Sequence, residues 1–227
     1  MQGLYAIVDT QVLSRRGFSV LPFFEAVLSA RPAAIQLRDK LGGAGNTLAL
    51  LRSMSPLCAR AGVPLFANDR PDLALLAHCD GVHLGQDDLP VELVRSLCLA
   101  PCAEPSRAPH LLVGISTHNS DQVEAALGKS VDYVAIGPVF STLTKENPDP
   151  VLGLSVLSAL ASHARRGRPA LPLVAIGGIG LESAASVGTM VDCVAVIGGL
   201  IPEGEASLDD VAARVRALHA AVLDAQA

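Results

Sequence analysis

Two acidic residues follow short apolar runs in the first half of the chain. The run ending in Phe66 continues into Asn68 and Asp69, and the run ending in Leu84 is followed by Asp88. If the two runs are neighbouring parallel strands, about 5 Å apart, carboxylates just beyond their ends converge on one divalent cation. This arrangement indicates phosphate chemistry at a metal ion. The alternative is that both acids are helix caps or turn residues, positions in which Asp is favoured.

A second candidate group lies on one face of the next apolar run towards the N-terminus. The two-residue period of a strand puts Ile35 and Leu37 on the face that meets helices. The opposite face then carries Gln36, Arg38 and Lys40, which in a barrel point inward, towards the mouth. An ion pair inside the barrel is one interpretation of this face. Two cations and an amide near a strand end are better suited to an anionic ligand.

Hydroxyl groups and a lysine follow the apolar run at residues 131–137. Thr142, Thr144 and Lys145 can all donate to phosphate oxygens, the lysine acting as a point charge. Lysine is scarce in this chain, and both Lys40 and Lys145 come directly after predicted strands. A Ser/Thr-rich turn without a ligand is the alternative.

Glycine pairs follow the last two apolar runs, as Gly177-Gly178 and Gly198-Gly199. Glycine lets the backbone approach a ligand closely. The loops after strands seven and eight are the usual phosphate site of a (β/α)₈ barrel, where backbone N–H groups at helix starts are donors. Tight turning without a ligand is the alternative, but the position of both pairs favours a phosphate site.

Ser116 and two histidines complete the set of candidate residues. Ser116 ends the fifth apolar run, where its hydroxyl could hydrogen-bond a ligand oxygen. A nucleophilic pair with His118 is not favoured, because the chain has no G-x-S-x-G elbow. His83, in the fourth run, is interpreted as a hydrogen-bonded structural group rather than as a base.

A regular alternation of two kinds of segment must position these residues. Runs rich in Val, Ile and Leu predict strands at residues 3–8, 33–38, 63–67, 80–84, 111–116, 131–137, 172–176 and 191–197. Helices are predicted between them at residues 20–30, 47–61, 71–78, 90–98, 119–127, 153–165, 181–189 and 207–224. Eight strand–helix pairs predict an α/β fold, a single (β/α)₈ TIM barrel. The alternative, an open Rossmann-like sheet, is disfavoured because no G-x-G-x-x-G follows the first strand.

Length and composition fit one TIM-barrel domain spanning residues 1–227. Half of the residues are apolar, and neither a linker nor a shift in composition suggests a second domain. The formal net charge is -5, and no basic cluster is longer than residues 165–168, which argues against a nucleic-acid partner. Small molecules are therefore the expected ligands, and the sequence leaves a homo-oligomer open.

The chain lacks the sequence features of membrane and secreted proteins. No apolar run reaches the length that crosses a bilayer, and the N-terminus has no charged region followed by a cleavage site. The five cysteines are an odd number without regular spacing, as expected for reduced, buried thiols. A cytoplasmic protein without membrane contact is predicted.

Six motifs of the chain occur in the same order as in a known enzyme family. They are Gln36-Leu37-Arg38-Asp39-Lys40, Asn68-Asp69, the stretch from Asp80 to Asp88, Gly114-Ile115-Ser116, the stretch from Gly137 to Lys145, and Gly177-Gly178-Ile179. In these motifs the chain resembles the thiamine phosphate synthase family, and the resemblance covers nearly the whole chain. That family joins hydroxymethylpyrimidine diphosphate to a thiazole phosphate, or to its carboxylated form, with release of pyrophosphate.

The resemblance implies a Mg²⁺ ion held on the diphosphate by Asp69 and Asp88. Around the diphosphate oxygens it places Arg38, Lys40, Asn68 and Lys145. Gln36 and Ser116 would help to place the pyrimidine and the leaving group. The residues that it implies in catalysis are Arg38, Lys40, Ser116 and Lys145.

The resemblance also implies a separate site for the thiazole phosphate, formed by Thr142, Thr144 and the backbone at Gly178, Gly198 and Gly199. The family commonly has a Ser-Ala pair where this chain has Gly198-Gly199, so backbone donors would have to replace a hydroxyl. The family mechanism is dissociative: the diphosphate leaves first, and the thiazole nitrogen captures the resulting pyrimidine carbocation.

Two other functions fit the same barrel. The related TenI group includes a thiazole tautomerase, which needs an acid/base residue and no metal, and His118 could serve that role. The paired acids, Gln36, Arg38 and Lys40 would then have no purpose, so the synthase is favoured. The other alternative is a non-catalytic barrel that binds thiamine phosphate and turns nothing over.

Overall fold

The computed structural model describes residues 1–99, 111–142 and 149–227. Within these ranges, eight parallel strands pair in chain order and close into a barrel. The strands are β1 (Gly3–Asp9), β2 (Ala34–Arg38), β3 (Leu65–Asn68), β4 (Gly81–Leu84), β5 (Leu112–Thr117), β6 (Tyr133–Ile136), β7 (Leu173–Ile176) and β8 (Cys193–Val196). The barrel closes where β1 pairs with β8, with Leu4 beside Val194. This closure confirms the predicted TIM barrel, and the open-sheet alternative is wrong.

Helices connect consecutive strands and pack their apolar faces onto the outside of the barrel. They are α1 (Thr10–Arg15), α2 (Val20–Ser29), α3 (Ala44–Ala61), α4 (Pro71–Leu76), α5 (Val91–Leu99), α6 (Ser120–Leu127), α7 (Gly153–Gly167), α8 (Leu181–Gly188) and α9 (Leu208–Gln226). Of the helices in the described ranges, none combines the length and the apolar character needed to cross a bilayer.

Two short elements differ from the sequence-based prediction. Helix α1 and a 3₁₀ turn at Gly198–Leu200 were not predicted, because neither is long enough to show a helical period of apolar residues. Asp9 starts α1 as its N-cap, since its carboxylate accepts a hydrogen bond from Val12 N at 2.9 Å. Helix α3 begins at Ala44, three residues before the predicted start, because Gly43 supplies its N-cap.

Three aspartates on the N-terminal face of the barrel hold neighbouring strands in register. Each directly precedes an even-numbered strand and accepts a backbone N–H from the strand before it. The three hydrogen bonds run from Leu65 N to Asp80 at 2.8 Å, from Val113 N to Asp132 at 2.7 Å and from Leu173 N to Asp192 at 2.8 Å. These carboxylates lie at the stability face of the barrel, away from the strand ends where ligands bind.

Aromatic rings fill part of the barrel interior. Alternation along β1 sends Leu4, Ala6 and Val8 outward to the helices, whereas Tyr5 belongs to the inner cluster. The rings of Tyr5, Phe66 and Tyr133 lie with their centroids 5.4 to 6.0 Å apart, at tilted or edge-to-face angles. Such geometry is favourable for aromatic pairs. The three rings therefore join β1, β3 and β6 across the barrel.

Two inward-facing glycines leave the space that these rings occupy. A Cβ atom at Gly114 would lie 1.9 Å from Tyr133 Cζ, and one at Gly81 would lie 2.2 Å from Phe66 Cε1. Both rings are almost fully buried and enclosed by each other, so neither can move aside. Glycine is thus required at these strand positions for steric reasons.

We expect Gly114→Ala to destabilise the protein by about 3 kcal/mol or more, because overpacking of a closed core displaces the Tyr133 ring. The matched control is Gly128→Ala, since its backbone is right-handed helical and its nearest neighbour lies 3.7 Å from the added Cβ. The control should change stability by less than about 1 kcal/mol. Urea denaturation measures both, and equal stability of the two variants would contradict the steric requirement.

Candidate active site

Two carboxylates meet at the C-terminal ends of β3 and β4. Asp69 directly follows β3 in a left-handed conformation, with φ of 61°, and its N–H donates to His83 O at 2.8 Å. Asp88 lies beyond β4 and accepts a hydrogen bond from Gly85 N at 2.6 Å. Left-handed backbone at a residue other than glycine is costly and is concentrated at functional sites. The turn around Asp69 thus directs its carboxylate to the neighbouring strand end.

The pKa of Asp88 reflects the contact between the two acids. Burial raises the pKa of the Asp88 carboxyl group above its usual range, the hydrogen bond with the Asp69 side chain raises it further, and the Gly85 N–H opposes both effects. Two acids in direct contact cannot both ionise without cost unless a cation joins them. The capping interpretation fails for Asp69, since α4 has no side-chain cap, but the Asp88 carboxylate does close a turn.

The donor set fits a Mg²⁺ ion. Mg²⁺ takes hard oxygen ligands, and proteins often hold it through one or two carboxylates, with waters and substrate phosphates as the remaining ligands. Asp69 and Asp88 supply the two carboxylates. Within the described ranges no three His, Cys, Asp or Glu side chains form a closed metal cage.

Both cations of the second strand form ion pairs, as in the alternative interpretation of this face. Lys40 forms an ion pair with Asp69, and both side chains are partly exposed. Arg38 forms an ion pair with Asp9, whose side chain is only 1% exposed. Asp9 was not identified from the sequence, although its position at the end of β1, beside Arg38 in the barrel register, is the signal that could have revealed it.

A continuous chain of hydrogen bonds crosses the barrel interior from β2 to β5. Gln36 Nε2 donates to Tyr5 Oη at 2.8 Å, and Tyr5 Oη lies 3.1 Å from Tyr133 Oη. Tyr133 Oη lies 2.8 Å from His83 Nδ1, and His83 Nε2 lies 2.8 Å from Ser116 Oγ. The sequence interpretation missed both tyrosines. Their inward position follows from strand alternation, but the contact between them depends on barrel closure.

Burial disfavours the charged form of the His83 imidazole. Burial lowers the pKa of the His83 imidazole to about 4, and His118 acts in the same direction, while the charge of Asp88 opposes both. Burial also raises the pKa of the Tyr5 and Tyr133 hydroxyls, so both remain protonated. His83 thus has the hydrogen-bonded role that the sequence predicted, with both ring nitrogens engaged.

The remaining predicted residues lie around this centre. Asn68 ends β3 in register with His83, and Gln86 Nε2 donates to Ser116 O at 2.5 Å. Thr142 lies at the edge of the described part of the chain, while Thr144 and Lys145 fall outside it. The structure therefore places Arg38, Lys40, Asn68, Asp69 and Asp88 at or just beyond the ends of β2, β3 and β4, and the Thr144 and Lys145 assignments stay predictions.

The glycines in the loops after β7 and β8 differ in the space around them. A Cβ at Gly178, which has φ of 64°, would lie 2.4 Å from Ser141 O, and one at Gly199 would lie 2.6 Å from Ile179 O. These two glycines are required for contacts within the protein. Gly198 faces open space, with no atom within 4 Å of an added Cβ. Of the three, Gly198 has room for a ligand.

His118 lies at the end of the same strand as Ser116. Its Nδ1 donates to Gly137 O at 2.6 Å, and its Nε2 lies 3.5 Å from Asp149 Oδ2. A carbonyl acceptor and a carboxylate on the two sides of the ring hold its orientation.

Lowering the pH should destabilise the native protein through His83. The unfolded chain protonates this histidine below its ordinary pKa of about 6.5, whereas the folded protein resists protonation down to about 4. Between these values the unfolded state binds more protons, so the free energy of unfolding falls as the pH falls. We expect His83→Gln to lose roughly 2.5 kcal/mol less than the native protein between pH 7 and pH 4.5 in urea denaturation. Parallel losses in both proteins would show that His83 is not held neutral.

Comparisons with known proteins agree with this geometry. The sequence profile of the family described as thiamine monophosphate synthase matches residues 4–200. The thiamine-phosphate synthase of Chloroflexus aurantiacus is 35% identical over 220 residues, covering 96% of this chain and 92% of that protein. The thiamine-phosphate synthase of Koribacter versatilis is 39% identical over 201 residues, covering 87% of this chain and 88% of that protein.

Solved structures show the same relationship. The thiamine phosphate pyrophosphorylase of Pyrococcus furiosus superposes with a TM-score of 0.78 at 27% identity, covering 100% of this chain and 98% of that one. The 2-keto-3-deoxy-6-phospho-gluconate aldolase of Zymomonas mobilis superposes with a TM-score of 0.65 at 18% identity, covering 97% of this chain and 93% of that one. The second likeness shows the shared barrel alone.

Proposed function

The chain belongs to the thiamine monophosphate synthase family, and from this we propose that it is a thiamine-phosphate synthase. It joins 4-amino-2-methyl-5-hydroxymethylpyrimidine diphosphate to 4-methyl-5-(2-hydroxyethyl)thiazole phosphate, forming thiamine phosphate and pyrophosphate. The observation that carries this proposal is the contact of Asp69 with both Asp88 and Lys40, beside the strand that ends in Arg38. A diphosphate with its metal ion requires both kinds of charge in one place.

The diphosphate half of the site is built to stabilise a leaving group. Asp69 and Asp88 would hold Mg²⁺, which would neutralise the diphosphate charge and make it a better leaving group. Arg38 is held by its ion pair with the buried Asp9, and its guanidinium would bind the diphosphate. Lys40 is partly exposed beside Asp69, and its ammonium group would donate to a diphosphate oxygen. Asn68 and Lys145 complete this half.

The reaction is a dissociative substitution. The bond between the pyrimidine methylene carbon and the diphosphate oxygen breaks, and pyrophosphate leaves with the electron pair. The electron-rich aminopyrimidine stabilises the resulting cation, and the thiazole nitrogen then donates its lone pair to form the new carbon–nitrogen bond. His83 is engaged at both nitrogens and is no nucleophile. Electrostatic stabilisation and positioning therefore supply the rate.

The thiazole phosphate binds on the opposite side of the barrel mouth, near the loops after β6, β7 and β8. Thr142 and Thr144 donate hydroxyl hydrogen bonds, and the backbone at Gly178, Gly198 and Gly199 lines the site. Gly198 has open space beside it, which supports the use of backbone N–H donors where relatives carry a hydroxyl. Backbone donors would therefore replace the serine hydroxyl of the common Ser-Ala pair, where this chain has Gly198-Gly199.

One assay separates this function from the tautomerase and from a non-catalytic binding protein. Purified protein receives both substrates with and without Mg²⁺, and pyrophosphate release is followed. Mg²⁺-dependent release supports the synthase. Isomerisation of the thiazole without metal would support the tautomerase instead, and binding of thiamine phosphate without any turnover would support the binding protein.

Replacing either acid should abolish the metal-dependent reaction. We expect Asp69→Asn and Asp88→Asn to lower kcat/KM by at least about 100-fold, because one carboxylate cannot hold the metal on the diphosphate. The matched control is Asp72→Asn, since Asp72 follows the same strand but is exposed and paired with Arg70. Near-native activity in either of the first two variants would refute the metal assignment.

Stability provides a second readout for the same variants. Without metal, Asp88→Asn should unfold at an equal or higher temperature than the native protein, because it removes the cost of ionising Asp88 beside Asp69. Addition of Mg²⁺ with pyrophosphate should raise the melting temperature of the native protein, by linkage, and leave that of the variant unchanged. A clear loss of stability without metal would indicate that Asp88 mainly closes its turn.

A further inference from the structure

One acidic residue near the barrel mouth has no role in the function proposed above. Asp39 lies between Arg38 and Lys40, and its partly buried carboxylate accepts three hydrogen bonds. Thr10 Oγ1 donates to Oδ1 at 2.8 Å, Gly42 N donates to Oδ1 at 3.1 Å, and Thr47 Oγ1 donates to Oδ2 at 2.8 Å. A carboxylate has about four acceptor positions. Most of the acceptor capacity of Asp39 is therefore used within the protein.

The three hydrogen bonds join three parts of the chain. Thr10 is the first residue of α1, Gly42 lies in the loop between β2 and α3, and Thr47 lies in the first turn of α3. The loop packs directly on the carboxylate, since a Cβ atom at Gly42 would lie 1.9 Å from Asp39 Oδ2. Gly42 and Gly43 are costly to order, because glycine loses more backbone freedom on folding than other residues. Hydrogen bonds to a charged acceptor are strong, so Asp39 is an effective anchor for this loop.

The loop begins with Lys40, which reaches towards the acid after β3. Its ammonium group forms the ion pair with Asp69 at the end of a flexible four-carbon side chain. Because the side chain is flexible, the place of the ammonium group depends on where the backbone of Lys40 is held. Arg38 ends β2 and is paired with Asp9. Beyond this strand end, the side chain of Asp39 holds the loop against both neighbouring helices.

We propose that Asp39 is a positioning residue that keeps Lys40 at the place where the diphosphate binds. Its carboxylate acts through the backbone of the loop and not on the reacting atoms. This inference rests on the proposed function for the identity of the anion. The sign of the effect is informative, because a carboxylate near an anion weakens anion binding by Coulomb repulsion. Loss of the charge alone would tighten diphosphate binding, whereas loss of the anchor weakens it.

The probe is pyrophosphate with Mg²⁺, and its binding is measured by titration calorimetry without any turnover. We expect Asp39→Ala to raise the dissociation constant at least about tenfold, because a displaced cation no longer meets the anion. An unchanged or lower dissociation constant in this variant would overturn the positioning role.

Two threonine variants test the anchor while the charge of Asp39 stays in place. Thr10→Val and Thr47→Val keep the shape of the side chain and remove one hydroxyl donor each, so each should raise the dissociation constant roughly threefold. The matched control is Thr189→Val, whose hydroxyl donates to Ser186 O on the opposite face of the barrel, before β8. Native affinity in both anchor variants would refute the role even if Asp39→Ala failed to fold.

A double-mutant cycle with Lys40→Ala measures whether Asp39 acts through the lysine. In the Lys40→Ala background, Asp39→Ala should weaken pyrophosphate binding by less than about twofold, since no ammonium group remains to be positioned. A further tenfold loss in that background would show that Asp39 acts by another route, and it would overturn the proposal.

The same titrations separate this inference from the proposed function. A native protein that binds pyrophosphate with Mg²⁺ but forms no thiamine phosphate would refute the synthase and leave the positioning role intact. Native affinity in the Asp39 and threonine variants of an active synthase would refute the positioning role alone. A native protein that binds no pyrophosphate would refute both.

Discussion

The hydroxyl of Tyr133 lies 2.8 Å from His83 Nδ1 and 3.1 Å from Tyr5 Oη, in a part of the barrel that is closed to solvent. The ring that carries it occupies the space that Gly114 leaves empty. The Tyr133 side chain therefore both fills the core and takes part in its buried hydrogen bonds. If the ring moved, the aromatic cluster would lose its contacts and His83 would lose its hydrogen-bond partner at Nδ1. Such a buried polar network is stabilising only when all of its members are satisfied.

The two ion pairs at the barrel mouth differ in how far they are buried. Arg38 is paired with an acid that is buried and also caps a helix, so this pair is permanent. Lys40 is paired with Asp69 where both are partly exposed, so this pair can open. A fixed guanidinium and an exchangeable ammonium suit a ligand that arrives with its own metal ion. A metal ion held by Asp69 and Asp88 would offset the repulsion between the two carboxylates.

Much of the architecture could be predicted from the sequence because strand period and helix period are local properties. The eight strands, the inward face of Gln36 and Arg38, and the acids after β3 and β4 all follow from alternation and chain order. The 3₁₀ turn and α1 could not be predicted, because one or two turns show no period. Asp80, Asp132 and Asp192 each precede an even-numbered strand, but their partners lie one strand away and become visible only in the barrel register.

The sequence by itself determined which residues stand at the strand ends, since the end of an apolar run marks the end of a strand. It therefore determined the acids, the cations and the glycine loops of the mouth. The tertiary structure decided which of these residues touch. Closure of the barrel brings Tyr5 of β1 to Tyr133 of β6, separated by 128 residues. It also assigns Gly178 to a contact within the protein and leaves Gly198 open. A contact across the barrel depends on the register of every strand pair that lies between the two residues. A local sequence pattern does not give the register of those pairs.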